Sequence, residues 1–462
     1  MLDAKNRSSA TCADELRVAI SGRVVLPGDQ FYGEGSRVWN GAVCRRPAII
    51  AFCNQPEDVQ AALRAARQHG LPLSVRGGGH DWAGRALSDD GLVIDLTGMR
   101  DVTVDAHAHV ASVAGGALAK DVAVAAGAHN LVAALGNCGM VGMAGLTLGG
   151  GYGPLNGSCG LAADNLLGAE IVLADGRRVT TGPDAERDLF WALRGGGGNF
   201  GVVTSLRVRL YEARHLLTGT ITYGWNEAGA VLRRYAAFAA TVPDELGVPV
   251  AIMSGQDGEP VIMLEALWNA ERSRGERVMD DAMALGTPQS AHVGPATYAD
   301  MLARFDAWVA AAGHCHWEVR TRSLPALTPG AADAIIAAMA RRASPNCSVF
   351  SHHLHGAATR IAPDCGAFGL RREHFMVEII AGWQPERDDG AAHRRWAQDL
   401  WQSLGPFALP GGYANLLGPN DREQARAAYG GNAARLSVLK RRFDPDGVFA
   451  SAIPLPEADP IR

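Results

Sequence analysis

The sequence predicts an α+β protein of two domains, and three observations predict it. The chain has 462 residues, above the roughly 250–300 at which a single hydrophobic core stops growing. In its first part, short helix and strand patterns alternate around three glycine clusters, at 77–79, 149–153 and 195–201. Beyond residue 211 such clusters are absent. Strand-like runs there alternate with long Ala/Arg-rich helical stretches, the pattern of an antiparallel sheet backed by helices. The expected partition is a first domain over 1–210, a second over 211–404, and a return of 405–462 to the first.

The elements follow in order. Pro56–Gly70 reads as a helix: Pro56 suits its first turn, Val59, Leu63 and Ala66 share a face, and Gly70 stops it. Leu71–Val75 is a short strand that enters the tight loop Arg76–His80. Leu92–Leu96 is a buried strand, His109–Val113 alternates like another, and Ala117–Ala126 is a helix ended by Gly127. Ala169–Ala174 and Arg177–Thr181 flank an Asp175-Gly176 turn and form a hairpin. Leu189–Leu193 leads into the cluster at 195–201, and Val202–Leu210 follows as a strand. In the second part, strands are expected at 218–223, 260–267, 348–355 and 375–381, with helices near 226–241, 269–284, 329–342 and 390–404. A last helix is expected over 421–441.

Composition narrows the function. Hydrophobic residues are 47% and charged residues 20% of the chain, as in ordinary soluble proteins. The net charge of −5 leaves no electrostatic footprint for nucleic acid. No apolar run reaches the roughly 18–20 residues of a membrane span. The N-terminal MLDAKNRSSATCADELRVAI has no apolar signal core, so a cytoplasmic location is expected. The eight cysteines are dispersed without a CxxC pair, which fits free thiols better than a metal site. No heptad pattern speaks to oligomeric state.

The glycine clusters carry the chemistry. Consecutive glycines leave N–H groups unobstructed and can cradle a pyrophosphate. The loops 76–80 and 149–153 both qualify, although tight turns between strands would need the same residues. Neither is followed by GK[ST], and neither sits in a strand–GxGxxG–helix unit, so a Walker loop and a nicotinamide site are poor readings.

Taken together the clusters are more specific. SVRGGGHDWAG (74–84), GNCGMVGMAGLTLGGGYG (136–153), GLAADNLLGAEIVLADG (160–176) and DLFWALRGGGGNFGVVT (188–204) stand in that order. GGYANLLG (411–418) and YGGNAARLSVLKRRFDPDGVF (429–449) close the chain. This series resembles the berberine-bridge-enzyme-like branch of the vanillyl-alcohol-oxidase superfamily, which has a two-domain PCMH-type FAD-binding fold. The likeness covers nearly the whole chain and is weakest over 211–345.

The resemblance implies FAD, with His80 bonded to the 8α-methyl carbon of the flavin ring and Cys138 to ring carbon 6. An imidazole nitrogen and a thiolate are side chains able to attack an electrophilic ring carbon. It also implies that Arg76 and Gly77–Gly79 cradle the pyrophosphate. Val141, Gly142 and Gly145 would follow the cysteine along the cofactor. Gly150, Gly151 and Tyr152 would touch it from the second cluster, and Asn199, Gly201 and Val202, with Gly197 and Gly198, from the third. Tyr413 and Asn415 match a Tyr-x-Asn at the substrate face of the flavin. A valine at the position of Val141 accompanies oxidases in the family, so O₂ is the expected acceptor and H₂O₂ the product. Asp164 and Asn165 match a pair that opens a buried strand. The sequence departs from the family at Ser158 and Cys159, where many relatives carry a cation and an aromatic or histidine, so a smaller, more polar pocket wall is expected.

Hydride removal needs a base near the substrate. The candidates are Tyr413, then Glu378 in FMVEIIAGW, and then a histidine of SHHLHG, where His353 and His355 share one strand face and His352 takes the other. No metal is expected. His314 and His316 mark a helix-to-strand connection, and Trp268 and Trp383 either wall the pocket or fill the core. The expected partners are a small organic substrate (an alcohol, a sugar or a natural-product intermediate) and O₂. An oxidative cyclase of secondary metabolism and a flavin-binding protein without catalysis are the alternative readings.

Overall fold

Short apolar, β-branched runs bounded by glycine or proline become strands, and longer amphipathic ones become helices. The computed structural model describes residues 2–311, 315–419 and 421–456, so His314 lies outside the described residues. Among them the strands form three sheets. The first runs Arg23–Val25, Ile49–Phe52, Leu92–Asp95, Leu73–Arg76, antiparallel at its first pairing and parallel at the other two. The helix Pro56–Gln68 buries Val59, Ala62, Leu63 and Ala66 against it. In the second sheet the long strand Val202–Glu212 is central, between Val110–Ala114 and Leu166–Val172. The expected hairpin is its edge, with Gly176 at φ +85° in the turn.

The third sheet is wholly antiparallel and runs Pro288–Pro295, Leu216–Gly224, Pro260–Asn269, Val250–Ser254, Ser348–Leu354, His374–Trp383, His316–Leu324. One face packs under Ala228–Ala239, Arg272–Met283, Pro329–Ala340 and Ala391–Ser403 in a single apolar core. Trp268 belongs to that core, and Trp383 is buried beside His316 and His393. Neither lines the large cavity between the sheets. The C-terminal helices return to the second sheet, where Tyr429, Leu436, Leu439 and Phe443 join its core.

Several expectations need correction. The last helix is two, Arg422–Tyr429 and Ala433–Phe443, because Gly430 takes φ +49° between them. The 131–153 stretch holds a short strand, Leu131–Ala133, and a short helix, Met143–Leu148. The sequence reading also passed over the helix Tyr298–Ala311 and the strands Val250–Ser254 and Pro288–Pro295.

A buried ion pair ties the third sheet to the turn that opens the strand Leu166–Val172 of the second sheet. Arg371, just ahead of the strand His374–Trp383, donates to both oxygens of Asp164 at 2.8 and 2.7 Å. Their side chains are 4% and 5% exposed. Asp164 also accepts the N–H of Leu161, so it caps the turn that opens the strand Leu166–Val172. Removing one partner leaves an uncompensated charge. Arg371→Met is therefore expected to lower the unfolding free energy by about 3–5 kcal/mol in urea titrations. Arg177→Ala, at the exposed pair with Asp175, should stay within about 0.5 kcal/mol.

Candidate active site

One cavity of about 380 Å³ lies where the three sheets meet. Its wall includes Gly77–Gly79 and His80 from the loop after the strand Leu73–Arg76, and Cys138, Val141, Gly142 and Gly145 from the second motif. Gly197, Gly198, Gly201 and Val202 come from the third cluster, and Phe449, Ser451 and Ile453 from the C-terminal segment. Tyr152, Glu378, Tyr413 and Asn415 complete it.

The loops that carry His80 and Cys138 touch through their backbones. A Cβ on Gly78 would lie 2.4 Å from the nitrogen of Gly142, and one on Gly142 would lie 2.6 Å from the nitrogen of Gly78. Only glycine permits that approach at either position. His80 packs its ring against Trp39 at 4.9 Å, and Trp39 stacks on Trp317 of the third sheet at 5.5 Å. Burial pushes the His80 pKa down to about 4, against the pull of Asp306, Glu378 and Asp81. The imidazole is thus neutral at pH 7 and keeps a nitrogen lone pair. The Cys138 thiol is pushed up to about 12, first by burial and then by Asp306.

The second glycine cluster does something other than cradle an anion. Gly150 and Gly151 do not line the cavity. A Cβ on Gly149 would strike the Asn415 amide at 1.9 Å, and one on Gly150 would meet Phe368 at 2.7 Å. The cluster seats the Tyr-x-Asn segment: Tyr413 Oη accepts from the N–H of Gly151 at 3.0 Å and from Asn415 Nδ2 at 2.8 Å. Burial raises the Tyr413 pKa to about 12 despite these two donors. Tyr152 meets Tyr413 edge-on at 4.7 Å and shares a 2.8 Å hydrogen bond with Nε2 of His374.

Other expected contacts are also redirected. Arg76 turns away from the cavity to pair with the fully buried Asp95 at 2.5 Å, its register partner in the parallel pair. Asn199 spends its amide on the carbonyls of Gly196 and Ile453, so it fastens the C-terminal segment. Ser158 and Cys159 form no part of the cavity wall. Cys159 packs in the core of the second sheet instead.

Strand parity decides the base candidates. On the cavity face of the third sheet stand Phe350 and His352, then Met376, Glu378 and Ile380. His353 points to the opposite, helix-covered face, stacks on Phe375 at 4.5 Å and reaches Glu373 at 3.1 Å. His353 is therefore removed from the cavity, and its neighbour His352 takes the place, 3.3 Å from Glu378. The sequence reading missed the apolar wall of Phe305, Trp308, Trp317 and Val319. The period-2 pattern of the strand His316–Leu324, burying Trp317 and Val319, was the available signal.

These residues fit a flavin dinucleotide. Ser74 Oγ and Asn137 Oδ1 belong to cavity-lining residues and have no partner among the described residues. A Cβ on Gly145 or Gly198 would meet nothing within 4 Å. Both features suit a polar, extended ligand lying against backbone. Among the described residues no group of three or more His, Cys, Asp or Glu could hold a metal ion, and no helix is long and apolar enough to cross a membrane.

Comparison with known proteins bears on the family and the fold. Residues 47–182 match the model of an FAD-binding domain, and residues 412–456 match the model described as berberine and berberine-like. The chain is 32% identical to the FAD-linked oxidoreductase aurO of Gibberella zeae over 419 residues, which cover 89% of this chain and 81% of that one. It belongs to the berberine-bridge-enzyme-like FAD-linked oxidoreductases. The chain is therefore an FAD-dependent enzyme. The structure of 6-hydroxy-D-nicotine oxidase from Arthrobacter nicotinovorans superposes with a TM-score of 0.85 at 28% identity, covering 95% of this chain and 98% of that one. The glucooligosaccharide oxidase of Acremonium strictum, with a 6-S-cysteinyl, 8α-N1-histidyl FAD, shares the fold at a TM-score of 0.82 and 23% identity, over 96% of this chain and 97% of that one.

Two outcomes are expected. Gly78→Ala should purify with much less flavin, read as the ratio of visible to ultraviolet absorbance. Gly127→Ala, where the added Cβ meets nothing within 4 Å, should load normally. The histidines give a pH signature. His353 and His374 are pushed down to about 3 and about 4, chiefly by burial. Unfolded histidines take up protons below about pH 6.5. From there down to about pH 4 these two histidines bind up to two more protons in the unfolded chain than in the folded one, so the stability they contribute falls as pH falls through that window. Urea midpoints at half-unit steps should show this, with a shallower slope in His353→Phe.

Proposed function

We propose that this enzyme is an oxidase that holds FAD through two covalent bonds, at His80 and Cys138, and oxidises a C–H bond next to nitrogen or oxygen in a small, largely apolar substrate. The observation that carries the reading is one cavity that brings a neutral imidazole, a thiol, a carboxylate and a doubly hydrogen-bonded tyrosine together. Bound FAD would supply a hydride acceptor that O₂ can reoxidise, giving H₂O₂. Val141, half-buried at the cavity wall, supports O₂ as the acceptor. The domain limits proposed with it are 1–210 and 405–462 for the cofactor and 211–404 for the substrate.

The chain's own residues divide the work. Glu378 is the proton acceptor, held by His352. Tyr413 stays protonated at neutral pH, and with its oxygen already accepting two hydrogen bonds it orients the substrate as a donor. Phe350 meets Phe305 and Trp308 edge to face, the three ring centres lie 5.7–5.9 Å apart, and together they offer an apolar wall. A carboxylate set in such a wall favours an aromatic amine or alcohol. An oligosaccharide would leave hydroxyls unpaired against these rings.

Acid precipitation is the first test. Yellow colour should stay with the pellet in the wild type, His80→Ala and Cys138→Ala, and pass to the supernatant only in the double variant. Flavin washing out of the wild type would remove the covalent reading. With a turned-over amine or alcohol and an oxygen electrode, Glu378→Gln should lower kcat by about 10²–10⁴ with flavin content unchanged. Tyr413→Phe should cost on the order of tenfold, about one hydrogen bond.

A further inference from the structure

We infer that Asp306 is the proton acceptor that readies Cys138 for bonding to the flavin, an assignment that rests on the two-bond reading above. Asp306 comes from the helix Tyr298–Ala311, which sits beside the third sheet and far from Cys138 in sequence. Its Oδ1 lies 3.3 Å from the Cys138 sulfur and accepts the N–H of Gly139 at 2.8 Å. The backbone bond fixes the carboxylate at the thiol.

The residue after the cysteine is shaped for this contact. A Cβ on Gly139 would lie 2.5 Å from Asp306 Oδ2, so glycine there leaves room for the carboxylate. Among the described residues no cation pairs with Asp306. Arg304 on the same helix turns to Thr218 at 3.1 Å. Lys120, whose Cβ flanks Gly139, sends its amine to Met140 at 3.2 Å. His80, the remaining titratable neighbour, is neutral at pH 7.

Burial first, and then the unpaired carboxylate beside it, disfavour a standing thiolate, so Cys138 is pushed up. The thiol therefore needs a base at the moment it reacts, and the carboxylate within hydrogen-bond reach is that base. In the step the S–H bond breaks and its proton passes to Asp306, while the sulfur electron pair forms the C–S bond to ring carbon 6. The ring hydrogen is lost, and two electrons and two protons leave to O₂ as H₂O₂.

The test is peptide mass spectrometry on the purified, flavin-loaded protein. Asp306→Asn keeps an acceptor for Gly139. It should carry flavin on His80 but leave most Cys138 free for alkylation at pH 7, and closure of the second bond under air should then speed up about tenfold per pH unit as solvent deprotonates the thiol. Gly139→Ala, which displaces the carboxylate without removing it, should show the same deficit and covers the case in which Asp306→Asn fails to fold. Full Cys138 linkage in both variants at pH 7, at the wild-type rate, would overturn the assignment. A wild-type Cys138 without flavin, with His80 linked, would instead overturn the two-bond reading and this inference with it.

Discussion

The candidate site depends on two glycines meeting backbone to backbone. Gly78 and Gly142 sit so close that a methyl group on either would lie inside the contact distance of the other's nitrogen. That approach lets the loop bearing His80 and the loop bearing Cys138 share one wall. A larger residue at either position would force the loops apart, and His80 and Cys138 would no longer line one cavity. Trp39 and Trp317 then hold the His80 side from the third sheet. Asn40 secures the same junction by bonding the backbone of Trp317 in both directions.

The third sheet contributes through its two-residue period. One face must bury its apolar side chains under four helices, which fixes the register and leaves the other face to the cavity. Glu378 and His352 then stand on the cavity face because Val377 and Val349 stand in the core. Two ion pairs are buried elsewhere in the fold. Asp164 holds Arg371 and Asp95 holds Arg76, so these residues act as ties between elements. Arg76, expected at the pyrophosphate, and Asp164, expected where a buried strand opens, both act in this way.

Much of the fold was legible in local pattern. The helix at Pro56, the Asp175-Gly176 hairpin and the helices over the third sheet follow periodicities that water imposes on any half-buried element. The helix Tyr298–Ala311 was missed. Its sequence, YADMLARFDAWVAA, lies in the stretch where the family likeness is weakest, although Pro295 precedes it and Gly313 follows it. The break at Gly430 was missed because the apolar pattern continues on both sides of it, although the run Gly430-Gly431-Asn432 marks it in the sequence. The cluster at 149–153 was read as either an anion cradle or a set of tight turns, since glycine-rich sequence looks the same whether the space above it receives a ligand or a neighbouring side chain.

The sequence by itself determined the cofactor class, the enzyme family and the residue types able to bond a flavin, because these sit in contiguous motifs whose chemistry needs those side chains. The tertiary structure alone decided which glycines line the cavity and which histidine of SHHLHG faces it. It also decided which acid reaches the thiol. Asp306 lies on an element that the local pattern did not reveal, and it meets Cys138 across 168 residues of chain. Such contacts are set by how whole sheets and helices pack. No local spacing encodes them.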